Sequence, residues 1–191
     1  MIAIAAAGST TSAFEIPAAA LAEIDALCEI DRDASALFAG AGLDVALADD
    51  HVYSVMERTR WLRSLGAGQV FLAVAPPGRA IGFAARAVLD GEHYLDQLSV
   101  RTRCMRQGAG SALLRAAESA ARTAGSRTLW LTTYNHLPWN RPFYERAGFV
   151  AVSATGCGQD LLTELTRQRR WLPRPEQRIV MKKALSERDP H

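Results

Sequence analysis

Between Leu65 and Val70 the hydrophobic rhythm of this chain changes, and that change limits the folds open to it. Upstream, apolar residues recur at helical spacing: Leu21, Ile24, Leu27 and Cys28 within 17–30, then Val52, Val55, Met56, Leu62 and Leu65 within 51–65. Pro17 suits a first helical turn, Asp50 an N-cap and Gly66 a stop. Downstream, short apolar runs are divided by turn residues. Residues 70–75 (VFLAVA) end at Pro76-Pro77-Gly78, 80–88 (AIGFAARAV) return as a hairpin partner, and 93–100 (HYLDQLSV) follow Asp90-Gly91. Residues 108–124 form a helix rich in small residues, ended by Gly125. The run 128–133 (TLWLTT) reads as a strand covered on both faces of its sheet. A short helix at 141–147, a strand at 149–152, a helix at 160–169 and a strand at 178–185 complete the order. This order predicts an α/β domain with a mixed, mostly antiparallel central sheet flanked by helices.

A length of 191 residues suits one domain spanning 1–191. Such a chain buries about 70% of its unfolded surface and needs no metal or disulfide for stability. Cys28, Cys104 and Cys157 are far apart and lack zinc-ligand spacing, so no metal is expected and a reducing, cytoplasmic setting is the simpler reading. No apolar run approaches the roughly 18 residues of a membrane span. The apolar start, Met1 to Ala7, has no basic segment before it and reads as a strand-like arm rather than a leader. Residues 1–100 carry 6 basic and 13 acidic side chains, a net of −7, and residues 101–191 carry 16 and 7, a net of +9. An acidic half suits a cationic partner and a basic half an anionic one; solvated surface charge accounts for the asymmetry equally well. Nothing in the basic half resembles a nucleic-acid-binding array.

Chemistry concentrates in Leu98–Leu114 (LSVRTRCMRQGAGSALL), where a strand runs into a polar loop and then into Arg106-Gln107-Gly108-Ala109-Gly110-Ser111 at the start of a helix. Glycines there let a ligand approach the backbone, and first-turn amides and the helix dipole favour an anion such as a pyrophosphate. Arg103 and Arg106 are positioned to add charge. The nucleotide-loop patterns fit poorly: Ser111-Ala112 stands where a Lys-Ser/Thr pair is needed, and Leu113 where a third small residue is needed. Glycines at a tight strand–helix turn are also often purely structural.

Residues 129–149 (LWLTTYNHLPWNRPFYERAGF) add a second motif. The chain resembles the GNAT superfamily of acetyl-CoA-dependent N-acetyltransferases in two places, in order and at the family's spacing. One is the R/Q-x-x-G-x-G/A loop-helix, within Val100 to Gly110. The other is the Phe143-Tyr144-Glu145-Arg146-Ala147-Gly148-Phe149 ending, preceded here by Trp139-Asn140. The likeness is good over 70–185 and loose over the N-terminal helices. It departs at Met105, where the family usually has Gln or Arg.

The resemblance implies acetyl-CoA as cosubstrate. Its pyrophosphate would rest on Arg106, Gln107, Gly108, Ala109, Gly110 and Ser111, and its pantetheine would pair along Leu98 and Val100, with Asn140 in reach. It implies direct attack by an amine on a thioester polarised by backbone N–H near Leu98 or Ser99. Tyr144 matches the family's general acid. Asp96 and Glu92 are candidate bases, with strand alternation placing Asp96, Leu98 and Val100 on one face; His136 is a further candidate. Asn140 also suits an N-cap. The acceptor would be held by residues 12–65, whose Asp31, Asp33, Asp44, Asp49, Asp50 and Glu57 suit a cation. Residues 70–152 would form the core sheet with the acetyl-CoA site, and 153–191 a C-terminal helix and strand. The partner is then a small-molecule amine, with neither nucleic acid nor membrane, and with a homodimer left open. A protein or peptide acceptor and a non-catalytic acyl-CoA-binding module are the alternatives.

Overall fold

The computed structural model describes residues 14–185; the expected arm at Met1–Ala7 lies outside them. Six strands form one sheet in the order β1-β2-β3-β4-β6-β5. They are β1 (Val70–Ala75), β2 (Arg79–Leu89), β3 (Glu92–Val100), β4 (Thr128–Tyr134), β5 (Val150–Val152) and β6 (Arg178–Ala184). Every neighbouring pair is antiparallel except β3 and β4, which are joined by the crossover helix α3 (Ala109–Thr123).

The other helices are α1 (Ile24–Ala39), α2 (Val52–Gly66), α4 (Arg141–Arg146) and α5 (Gln159–Trp171). Against one face of the sheet, α3 buries Ala109, Leu113, Ala117 and Ala121 on Ala73, Ala84, Leu95, Leu129 and Met181. This small-residue stripe at four-residue spacing brings helix and sheet close. On the opposite face α1 and α2 close over β1 and β2 through Leu27, Ile30, Trp61 and Leu65. There α5 packs Leu161 and Leu165 on Tyr94 and Val180.

Two expectations for the N-terminal part are corrected. Residues 17–20 are not helical: Glu15 bridges to Val74 and Ala18 to Phe71, so this stretch lies along β1. The helix starts later and runs to Ala39, because Leu27, Ile30 and Ala34 continue one buried stripe until the turn around Gly42, whose φ is +71°. The N-cap of α2 is His51 rather than Asp50, with its Nδ1 accepting from the Tyr53 N–H at 3.1 Å.

β3 carries the feature that shapes the site. Ala85 pairs with Gln97 and Arg86 with Leu95, so Asp96 is a bulged residue without a partner on β2. Contact with β4 ends beside it, at Leu95 with Leu131. The remainder of β3, from Asp96 to Val100, has no neighbour on its β4 side, and the sheet splays open. The bulge also corrects the expected alternation. Leu98 and Val100 pack with the α3-side core, whereas Asp96 meets Arg60 of α2 on the other face.

Candidate active site

A cavity of about 1300 Å³ begins at this splay. It runs between β3 and β4, past the start of α3, and under α1 and α2. Of the residues singled out in the sequence, Asp96, Leu98, Ser99, Val100, Arg106, Gly108, Gly110, Ser111, Asn140 and Tyr144 all line it. Gln107 and Ala109 do not. The Gln107 amide is exposed and donates to the Arg103 carbonyl at 3.3 Å, and the Ala109 methyl is buried in the α3 core. His136 is exposed on the outer side of the loop, edge-on to Tyr134, and it too is outside the cavity. Glu92 faces elsewhere, its carboxylate accepting from the Thr128 N–H at 3.1 Å.

The start of α3 is built for close approach. Gly108 is its N-cap at φ +90°, and Arg106 also lies in the left-handed region at φ +62°. The first bond into the helix is from Ala112 N–H to Gly108 C=O at 3.0 Å. The amides of Ala109, Gly110 and Ser111 therefore have no helical acceptor. These free donors, the positive end of the helix and the unpaired edge of β3 fit an extended ligand that carries a diphosphate. Met105 lines the same stretch as a half-buried side chain.

At the far side of the splay stands Tyr144. Its ring packs edge-on between Phe143 and Phe149, with centroids at 5.1 and 5.7 Å. Burial pushes its phenol up to about 12, and the nearby positive charge of Arg178 draws it partly back. The hydroxyl is thus protonated at neutral pH. Asn140 precedes the helix and lends its backbone carbonyl to Phe143 N–H at 3.0 Å, but its side chain makes no cap. Contrary to the capping expectation, that amide is free to serve the cavity.

Ser99 Oγ and Gln97 Nε2 both donate to Asp31 Oδ1, at 2.7 and 2.6 Å, and tie α1 to β3. Of the other acidic residues expected to hold a cation, Asp33 accepts from Thr102 N–H at 2.6 Å and Asp49 pairs with Arg32 at 2.6 Å. Asp44 and Asp50 are exposed and outside the cavity. Much of that negative charge is spent in fixing α1.

Sequence reasoning missed a polar cluster behind β3. Arg60 of α2 bridges Asp96 and Glu164 of α5. Arg167 donates to Glu57 at 2.6 Å and to Glu164 at 2.7 Å. Gln168 Nε2 continues the chain to Glu164 at 2.6 Å and to the Tyr94 hydroxyl at 3.1 Å. A signal existed: Glu164 and Gln168 share the helical face of Leu161 and Leu165, so they had to be buried polar groups with partners. Burial pushes Asp96 up to about 6 despite Arg60 and Glu57 up to about 7, with Asp96 adding repulsion in the second case. Glu164 stays below its ordinary range, because the cost of burial is outweighed by Arg167, Arg60 and Gln168.

An apolar cluster borders the cavity. The segment after α1 packs Leu43 on Tyr134 and Leu137, with Phe38, Ala41, Val45 and Trp139 around them. Phe38 lies 6.1 Å from Tyr134 and 6.3 Å from Trp139, centroid to centroid. Among the described residues no helix is long and apolar enough to cross a membrane, and no cluster of His, Cys, Asp and Glu suits a metal ion.

The profile of the acetyltransferase (GNAT) family matches residues 32–149. PaiA N-acetyltransferase from Thermoplasma acidophilum, solved with coenzyme A, shares the fold with a TM-score of 0.65 and 18% identity, over 90% of this chain and 98% of that one. An acetyltransferase of the GNAT family from Staphylococcus aureus gives 0.66 at 16% identity, over 91% and 100%. The ribosomal-protein-S18-alanine N-acetyltransferase from Escherichia coli gives 0.60 at 18% identity, over 93% and 97%. At these identities the structural likeness is one of fold.

Proposed function

This chain belongs to the GNAT family of acetyltransferases and is an acyl-CoA-dependent N-acetyltransferase; from that premise we propose that it moves acetyl from acetyl-CoA directly to the primary amine of a small molecule. The observation that supports the choice of a small acceptor is an apolar cluster beside the cavity. Phe38, Leu43 and Val45 pack with Tyr134, Leu137 and Trp139, and this cluster narrows the room for a peptide on that side. The fold does not decide this choice, since structures of similar shape include an enzyme named for a ribosomal-protein alanine.

The free amides of Ala109, Gly110 and Ser111 hold the diphosphate of the cosubstrate, with Arg106 supplying charge. The unpaired edge of β3 at Leu98 and Val100 takes its extended arm as a strand takes a neighbour. The cosubstrate supplies an activated acyl group as a thioester. Backbone N–H near Leu98 or Ser99 stabilises the oxyanion that develops on attack. Tyr144, protonated at neutral pH, gives its proton to the departing thiolate, with Arg178 near enough to ease the phenolate that forms. Asp96 draws the amine's proton away by relay. Its side chain is only 1% exposed and bound to Arg60, so it acts through water or a neighbour rather than by contact.

Thiol release from acetyl-CoA, measured against a panel of small primary amines and a panel of peptides with free N-termini or lysines, tests the reading. A small amine should be the better acceptor in kcat/KM. Preference for the peptides, or thiol release that no amine accelerates, would overturn it.

A further inference from the structure

The cluster behind β3 has one carboxylate too many. Asp96, Glu164 and Glu57 face two guanidiniums, those of Arg60 and Arg167. Arg178 of β6 lies beyond Gln168, donating to the Gln168 side-chain oxygen Oε1 and, at 3.1 Å, to Thr132 Oγ1. Among the described residues it touches no carboxylate. Tyr53 of α2 lies under Arg167 at 4.8 Å and brings no charge of its own while protonated. The surplus must be met by a proton or by a cation from outside, because an unpaired charge in a dry site is costly.

Exposure distinguishes the three carboxylates. Glu57 and Asp96 both line the cavity, but the Glu57 side chain is 12% exposed, whereas those of Asp96 and Glu164 are only 1% and 6% exposed. Oε1 of Glu57 accepts from Arg167 at 2.6 Å and is 4.0 Å from Arg60. Its second oxygen has no hydrogen-bond partner among the described residues. We infer that Glu57 is the group that meets the acceptor amine: it receives the substrate as an ammonium ion and takes one proton from it, with Asp96 behind it as the second site of the shared negative charge. The inference rests on the function proposed above and names the pole of that same site. The step balances: one N–H bond breaks, one O–H bond forms on Glu57, and the nitrogen lone pair is released for attack on the thioester carbonyl. The substrate class follows. The acceptor is a cationic alkylamine at neutral pH, with its ammonium end pointing at α2.

The pH at which Glu57 ionises, raised by burial and by Asp96 to about 7, sets the test. For wild type with the best alkylamine of the panel, kcat/KM should rise to a plateau above about pH 7.5. The isosteric variant Glu57→Gln should lose roughly 100-fold at pH 7.5, the scale of a lost general base. Its rate should then climb with the free-amine fraction and approach wild type near the amine's own pKa, while KM for acetyl-CoA holds. A uniform loss across pH, or a wild-type limb without an inflection near neutrality, would overturn the assignment. A second measurement needs no turnover. Glu57 binds its proton more tightly folded than unfolded, so wild type loses stability as pH rises from about 4.5 to about 7. The melting temperature of E57Q should therefore gain on wild type between pH 5.5 and 8. A flat difference would refute the surplus charge even if no acceptor had been found.

Discussion

Replacing Arg60 with Met asks how much the buried cluster depends on one guanidinium. Among the described residues Arg60 is the sole side-chain partner of Asp96, whose second oxygen is already buried without a hydrogen bond. Glu164 keeps Arg167 and Gln168, so the cost falls mainly on Asp96. Removing one partner of a buried ion pair costs about 3–5 kcal/mol. In a domain of this length each kcal/mol lowers the melting temperature by about 2–4 °C, which makes the expected drop roughly 10 °C. The sign with pH is also fixed. Asp96 already ionises at a higher pH folded than unfolded, and without Arg60 that pH rises further. A carboxyl raised in this way penalises the folded state increasingly as pH climbs above its unfolded value, so the R60M deficit should be larger at pH 8 than at pH 5. Adding Asp96→Asn should restore much of the loss, since removing one charge of each sign returns the cluster to its original surplus of one carboxylate. Thermal melts of the three proteins at both pH values are sufficient. A drop under about 3 °C at pH 8, or one that ignores pH and Asp96→Asn, would show that the cluster is hydrated and its charges screened.

Two further predictions address the cosubstrate side. Tyr144→Phe should lower kcat by about 100-fold with KM for acetyl-CoA and melting temperature unchanged, because the hydroxyl has no hydrogen-bond partner among the described residues; full activity in a steady-state assay would remove Tyr144 from the acid role. Gly108→Ala and Gly110→Ala should part company. At φ +90° the first forces an L-residue into the left-handed region at a cost of about 1–2 kcal/mol and should weaken acetyl-CoA. The second places a methyl at ordinary contact distance from Val100 (3.7 Å) and Phe143 (3.8 Å) and should not lower the melting temperature. Equal melts for the two would argue against a conformational role for Gly108.

Local sequence determined the strands, the crossover helix and the loop and helix start proposed to hold the cosubstrate. Each carries a signal within one segment: the turn-bounded apolar runs VFLAVA and AIGFAARAV, the glycine-opened turn at 106–111, and the aromatic run at 143–149. The backbone amides left without a helical acceptor are a property of the first turn of α3 and need no distant partner. Residues 17–20 depart from their helical pattern because they follow β1, a tertiary edge that overrides a weak helical preference. The Asp96 bulge was equally hidden, since an extra residue in β3 is defined only by its register against β2. The proposed acceptor end depended on folding altogether. Glu57, Asp96 and Glu164 come from α2, β3 and α5, and only packing of those elements brings three carboxylates onto two arginines. Their charges interact strongly because burial removes the water that would screen them, and no reading of one segment can count neighbours that arrive from more than a hundred residues away.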